Sequence, residues 1–385
     1  MAPYWVISGL LLLISLSELI VKKDERTSGL MLYLLCIATA ILIVFAGIRG
    51  LGTGMDDQQY RSFYTGFIES LQINGFSATI ALFRYEPLIF AIAWLTSLIS
   101  SNADTFLFVF SILAVSTNAV FFRKMSPYPI LALVLYSAHI YINKDMNQIR
   151  FGLSSALFLG VLWCLFLKRY WGAFGFFLLS FFSHNTGIMV VTVLPFLFIR
   201  QWRYWPVLII LLSIPMSKFG GTSFISLISA HMGSMGERAE GYSAEASNTA
   251  DGSIFSVSNL KNIMLVCIFV YFMLSDELKR NNSEQWRFNY LMIVTFALGG
   301  AIRIFFYNYS SGARLSNYLL QVEPILLTTS IYQSRQLLKP AMFAMFSFFL
   351  VYYPYHNTFS QLQSVVGFEV AQVFHILRQL RGSLH

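Results

Sequence analysis

The sequence places ionisable side chains at the edges of its apolar runs. Arg49 ends one run and is followed by Gly54-Met55-Asp56-Asp57-Gln58-Gln59-Tyr60. Arg84-Tyr85-Glu86-Pro87 and Asn147-Gln148-Ile149-Arg150 each open a run, and His184 interrupts another. Arg303 and Arg314 flank Tyr307-Asn308-Tyr309. Charged groups at membrane depth are expensive and tend to be functional. This set of arginines, a few carboxylates, one histidine and many tyrosines suits an anionic phosphate leaving group with a sugar beside it. Guanidinium forks grip phosphate oxygens in bidentate fashion and stay charged. Asp56, Glu86 or His184 within hydrogen-bond reach can take a proton from an attacking hydroxyl. Tyrosine faces and hydroxyls hold sugars.

Each residue also has a plainer reading. Arg49, Arg303 and Arg314 fit interfacial anchors whose heads reach the headgroups. One of Asp56 and Asp57 fits a turn after Gly54. Glu86 before Pro87 fits a helix N-terminus, where the dipole favours a carboxylate. His184 fits a capped break. Arg150, one turn into an apolar helix, is the hardest to dismiss. Glu18 and Glu323 lie inside spans, where neighbours can pair with them. His231 and Glu237 fit a solvated loop, although a long loop can also act as a lid.

The elements that must position this set follow from composition. Of 385 residues, 56% are hydrophobic and 11% charged. Soluble domains carry about 25% charged residues, so a soluble enzyme is excluded. Disorder and a nucleic-acid module are excluded as well, since no basic block is long enough to track a phosphate backbone. About 20 apolar residues cross a bilayer. The expected class is an all-α, polytopic integral membrane protein with about 12–13 transmembrane helices in a single domain spanning 1–385.

Candidate spans are 4–21, 29–48, 104–122, 128–143, 150–167, 170–183, 185–199, 204–219, 259–275, 288–306, 315–332, 340–353 and 361–377. The first has no basic residue before it and no small-residue cleavage site, so it reads as a retained span. Cys36, Cys164 and Cys267 have neither disulfide nor zinc spacing. No internal repeat of the transporter kind is visible.

Lys and Arg gather on the cytoplasmic side. One threading puts Lys22/Lys23/Arg26, Arg123/Lys124, Lys168/Arg169, Arg200/Arg203, Lys279/Arg280/Arg287, Arg335/Lys339 and Arg378/Arg381 inside, which is 16 of the 26 basic residues. The net charge of +8 is then a topology signal. Residues 49–103 become a periplasmic loop with two membrane-lying helices, 62–82 and 87–101, between the second and third spans. A second long periplasmic loop covers 220–258. The run 170–199 would be about 45 Å long as one helix, so it should break at Ser183-His184-Asn185-Thr186-Gly187.

These motifs resemble a known family. Gly54-x-Asp56-x-x-x-Tyr60 soon after Arg49 is similar to the entry motif of the EpsG family, Wzy-like proteins of bacterial exopolysaccharide and O-antigen polymerisation. Tyr85-Glu86-Pro87, Asn147-x-x-Arg150-x-Gly152-x-x-Ser155, Phe182-Ser183-His184-Asn185, Ala313-Arg314-Leu315-x-x-Tyr318 and Pro354-Tyr355 resemble its later motifs, in order, over about 45–355. Phe151 departs from the family's usual Gln. Asp56/Asp57, the stretch 62–82 and Glu86-Pro87-Leu88 also resemble the first outer loop of GT-C glycosyltransferases.

The resemblance implies a glycosyltransferase of the bacterial inner membrane. It would polymerise oligosaccharides carried on undecaprenyl pyrophosphate at the periplasmic face. Catalysis is expected from Asp56, Glu86 or His184, and pyrophosphate or sugar binding from Arg49, Tyr60, Arg150, Arg303, Arg314 and Tyr318. No cofactor is required, since arginines supply the positive charge; a divalent metal held by Asp56 and Glu86 is the alternative. The implied partners are the lipid-linked oligosaccharide, the bilayer and a chain-length regulator. Competing readings are a single-sugar transferase using an undecaprenyl-phosphate sugar, a lipid-linked glycan flippase, which would need charge near mid-membrane, and an acyltransferase recruiting His139 and His184.

Overall fold

A computed structural model describes residues 2–20, 25–50, 54, 56–219 and 253–334. The expected spans 340–353 and 361–377 lie outside these residues. So do Pro354-Tyr355, Arg335/Lys339, Arg378/Arg381, Lys22/Lys23 and most of the 220–258 loop with His231 and Glu237.

The protein is an all-α, polytopic membrane protein. Its helices are α1 (Ala2–Ile20), α2 (Glu25–Gly47), α3 (Asp57–Leu82), α4 (Pro87–Ser97), α5 (Ala103–Met125), α6 (Pro129–Lys144), α7 (Ile149–Phe166) and α8 (Tyr170–Ser183). A 3₁₀ helix (Asn185–Thr192) and α9 (Pro195–Phe198) lead to α10 (Trp205–Met216). Then come α11 (Val257–Met273), α12 (Asp276–Asn281), α13 (Ser283–Phe305), α14 (Ser310–Leu319), a 3₁₀ turn (Leu320–Val322) and α15 (Glu323–Gln333). Among the described residues, four helical stretches are long and apolar enough to cross a bilayer: Ser28–Gly47, Ala103–Met125, Ile149–Phe166 and Ser283–Phe305.

Buried α7 is the axis of the bundle. It packs on α5 and α8, and a Cβ on its Gly160 would collide with Phe121 and Phe176. Lipid gives helices no hydrophobic reason to associate, so small residues and polar bonds do that work. Ser154 Oγ donates to Ser180 O at 2.8 Å and Ser180 Oγ returns to Ser154 O at 2.9 Å, joining α7 to α8. Glu18 of α1 serves a similar purpose. Its two carboxylate oxygens accept the N–H groups of Ile130 and Leu131 at 3.0 and 2.9 Å. Those are orphan donors of the first turn of α6, so one helix caps another.

Three elements depart from the expected spans, each for a backbone reason. The stretch 62–82 belongs to a longer helix that begins at Asp57 and bends at Gly75, whose φ of 75° is open to glycine. The span expected at 185–199 is a 3₁₀ helix and a single turn. Pro195 lacks the N–H that would continue the ladder, and β-branched residues crowd 188–193. The span expected at 315–332 is split, because Pro324 cannot bond back to the preceding turn and so starts α15 afresh.

The bundle has two distinct ends. Helices α5 and α7 end near Arg123/Lys124 and Lys168/Arg169, and Arg203 pairs with Asp276 of α12 at 3.2 Å. The motif residues sit at the opposite end of the bundle: the starts of α3, α4 and α7, the ends of α8 and α13, and α14.

Candidate functional site

The site starts from the loop before α3. Asp57 is fully buried; it accepts Arg49 Nε at 2.8 Å and the Gly54 N–H at 2.9 Å. Asp57 is therefore the turn carboxylate, and Asp56 is left to face the site. A Cβ on Gly54 would lie 2.5 Å from Met146 O, so the loop packs directly on the α6–α7 turn. There Asn147 Oδ1 accepts the Asp56 N–H at 3.1 Å.

Arg150 rises from the first turn of α7. Its Nη1 donates to Glu86, and its guanidinium lies 4.5 Å from the Tyr85 ring and 5.8 Å from the Tyr60 ring. A cation over two aromatic faces beside one carboxylate is held in a fixed orientation. Arg150 Nε is buried without an acceptor among the described residues. Burial pushes the Tyr60 phenol up to about 12, so it remains a neutral hydroxyl.

His184 joins the cluster from the break after α8. Its extended backbone separates α8 from the 3₁₀ helix, and Ser183 Oγ donates to Arg150 O at 2.9 Å. His184 Nδ1 accepts the Thr186 N–H at 3.2 Å, which assigns the proton of the neutral ring to Nε2. Burial, followed by the fields of Arg150 and Arg314, pulls the imidazole down to about 3. His184 is thus a neutral donor through Nε2. Phe151 meets it edge-on at 5.4 Å.

Arg314 is exposed on α14, and both Asp56 and His184 feel its charge. Burial raises the Asp56 carboxyl, while Arg314 and then Arg150 oppose the shift. Asp56, Arg150, His184 and Arg314, separated by up to 258 residues of chain, therefore share one charged neighbourhood. Arg303 reaches Asn317 of α14 at 3.4 Å.

Arg49 and Tyr318 stand behind this cluster. Arg49 is buried on Asp57 and also donates to Ala46 O and Asp145 O. Tyr318 is fully buried, with its hydroxyl 2.6 Å from Ser180 Oγ and its ring against Phe158. Both hold the walls in place.

Sequence reasoning missed a buried polar network beneath the cluster. Lys144 and Asp145, 4% and 2% exposed, close α6. Lys144 Nζ donates to Gln321 Oε1 at 2.6 Å, to Asn317 O at 2.8 Å and to Ser155 Oγ at 3.2 Å. Gln321 Nε2 donates to Asn118 Oδ1, Asn118 Nδ2 to Tyr136 Oη, and Tyr136 to Asp145 Oδ2 at 2.6 Å. Burial raises the Asp145 carboxyl. The usable signal was Gly152 and Ser155 following Arg150: a Cβ on Gly152 would lie 2.8 Å from Asp145 Oδ1, and Ser155 meets Lys144. Among the described residues, no group of three His, Cys, Asp or Glu side chains is placed to hold a metal.

Comparison with known proteins identifies the family. The profile of the EpsG family matches residues 32–368. The amylovoran biosynthesis protein AmsC of Erwinia amylovora is 36% identical over 380 residues, covering 98% of this chain and 100% of that protein. No solved structure matches.

Proposed function

The chain belongs to the EpsG family, and from that footing we propose that it polymerises lipid-linked oligosaccharide repeat units into an exopolysaccharide or O-antigen chain. The observation that carries this reading is the convergence of Asp56, Arg150, His184 and Arg314 at one end of the bundle. The similarity to a protein named for amylovoran biosynthesis supports a polysaccharide product. The basic clusters at the other end favour a periplasmic site in the bacterial inner membrane.

In this reading, Arg150, Arg314 and Arg303 grip the pyrophosphate of an undecaprenyl-linked donor. A hydroxyl of the acceptor glycan attacks the anomeric carbon of the donor's reducing-end sugar. The new C–O bond forms as the bond to pyrophosphate breaks, and the lipid pyrophosphate leaves with the electron pair. Asp56 takes the hydroxyl proton, its raised carboxyl pKa bringing it nearer the range of an effective base. His184 Nε2–H donates to an oxygen on which charge develops, and needs no protonation to do so. Glu86 holds Arg150 in place, and Tyr60 and Tyr85 offer faces to a sugar.

The test is a reconstituted assay. Purified protein in lipid nanodiscs, supplied with undecaprenyl-pyrophosphate oligosaccharide, should give a ladder of products. A single added sugar from an undecaprenyl-phosphate donor, with no ladder, would replace polymerisation by decoration.

A further inference from the structure

We infer that Lys144 is a positioning residue: its buried ammonium fastens α14, and with it Arg314, opposite Asp56. The inference rests on the pyrophosphate reading for its purpose and on geometry for its substance. A buried ammonium survives only if its three donors are satisfied. Here all three are, and two of the acceptors, Asn317 O and Gln321 Oε1, belong to α14 and the turn that follows it. The third, Ser155, belongs to α7.

Arg314 lies three residues before Asn317 and so shares its helical face. Residue 144 is also one end of a turn that holds the opposite wall. Asp145 O accepts from Arg49, whose guanidinium fixes Asp57, and Asn147 fixes the Asp56 N–H. A four-residue turn thus grips α14 with the Lys144 side chain, and the loop before α3 with the Asp145 carbonyl and the Asn147 side chain. Asp145 supplies the compensating charge and closes the loop through Tyr136, Asn118 and Gln321. Tyr318 on Ser180 and Arg303 on Asn317 are further polar contacts of α14. Losing Lys144 would leave the helix tied mainly at these points and free to tilt about them.

The experiment uses the full chain in lipid nanodiscs, with inorganic pyrophosphate as the calorimetric probe and hydrogen exchange as a ligand-free readout. Lys144→Met should weaken pyrophosphate about tenfold and speed exchange across Ser310–Leu319, with α5 and α7 still protected. Because the effect runs through Arg314, the double variant Lys144→Met/Arg314→Ala should bind no more weakly than Arg314→Ala alone. Gln321→Leu removes one of the two α14-side acceptors, along with the bond to Asn118, and should give the same pattern in milder form, which keeps the test open if Lys144→Met fails to fold. Additive losses in the double variant, or unchanged exchange in α14, would overturn the inference. If the wild-type chain does not bind pyrophosphate, the anion-grip reading fails, and α14 exchange alone still decides whether Lys144 holds the helix.

Discussion

The Asp56 backbone N–H donates to the Asn147 side-chain carbonyl at 3.1 Å, across 91 residues of chain. This bond seats the carboxylate loop on the arginine-bearing turn. It joins the Gly-x-Asp motif to the Asn-x-x-Arg motif: one supplies the candidate base, and the other supplies both the residue that orients it and the cation beside it.

The fork of Arg150 matters as well as its charge. It donates to Glu86 while its plane covers Tyr85, a geometry that a lysine ammonium cannot reproduce. Arg150→Lys is expected to cut the rate of ladder formation by about 10²–10³-fold, close to the loss for Arg150→Ala. Near-normal rates in Arg150→Lys would reduce the residue to a point charge.

His184 should confer acid sensitivity on the fold. Its folded pKa of about 3 lies below the usual 6.5, so the unfolded chain binds the extra proton. The contribution is therefore complete above about pH 6.5 and is lost as pH falls toward 3. At pH 5.5 the loss is on the order of 1 kcal/mol. Thermal melts of wild type and His184→Gln should diverge in their pH dependence between 7 and 5, with wild type falling faster. The pH–rate profile should show no histidine limb between 5.5 and 8.

Glu18 is a cap delivered from another helix, and its removal should be felt at the start of α6. Glu18→Ala leaves two buried N–H groups without acceptors and should cost about 2 kcal/mol. Glu18→Gln retains one acceptor oxygen and should cost less. Faster hydrogen exchange at Ile130 and Leu131, seen before any global loss of stability, is the diagnostic signal.

Gly152→Ala places a methyl against Asp145 Oδ1 and the Asp145 backbone. The turn must move, at a cost of about 1–3 kcal/mol. Polymer yield in cells should fall further than the melting temperature implies, because the displaced turn carries Asn147 and Lys144. Equal yields of long-chain polymer from wild type and variant would separate this turn from function.

Much of this was legible in the sequence, for identifiable reasons. Arg150, His184 and Asp56 were visible because an ionisable residue at the edge of an apolar run is conspicuous, and His184 also had to break a run too long for one helix. Two helices were expected over 62–82 and 87–101, between the second and third spans, and α3 and α4 occupy that stretch. Lys144 and Asp145 were hidden, because at the end of a span they look like ordinary interfacial charges. Nothing in a linear pattern reveals that Asn118 and Gln321, 203 residues apart, meet to bury them. Tyr318 misled in the opposite direction: its place in a motif suggested sugar contact, yet its side chain is packed inside the bundle. Pro324 marks the division of 315–332, because its ring nitrogen cannot donate to the preceding turn.

In the proposed reaction, Asp56 does chemistry between two arginines that hold an anion. Its most direct test is Asp56→Asn in nanodiscs, with pyrophosphate affinity and ladder formation measured on the same sample. Pyrophosphate binding is expected to be as tight as in wild type or tighter, because a competing negative charge is gone, together with at least a hundredfold slower ladder formation. Ladders formed at the wild-type rate by Asp56→Asn would contradict it.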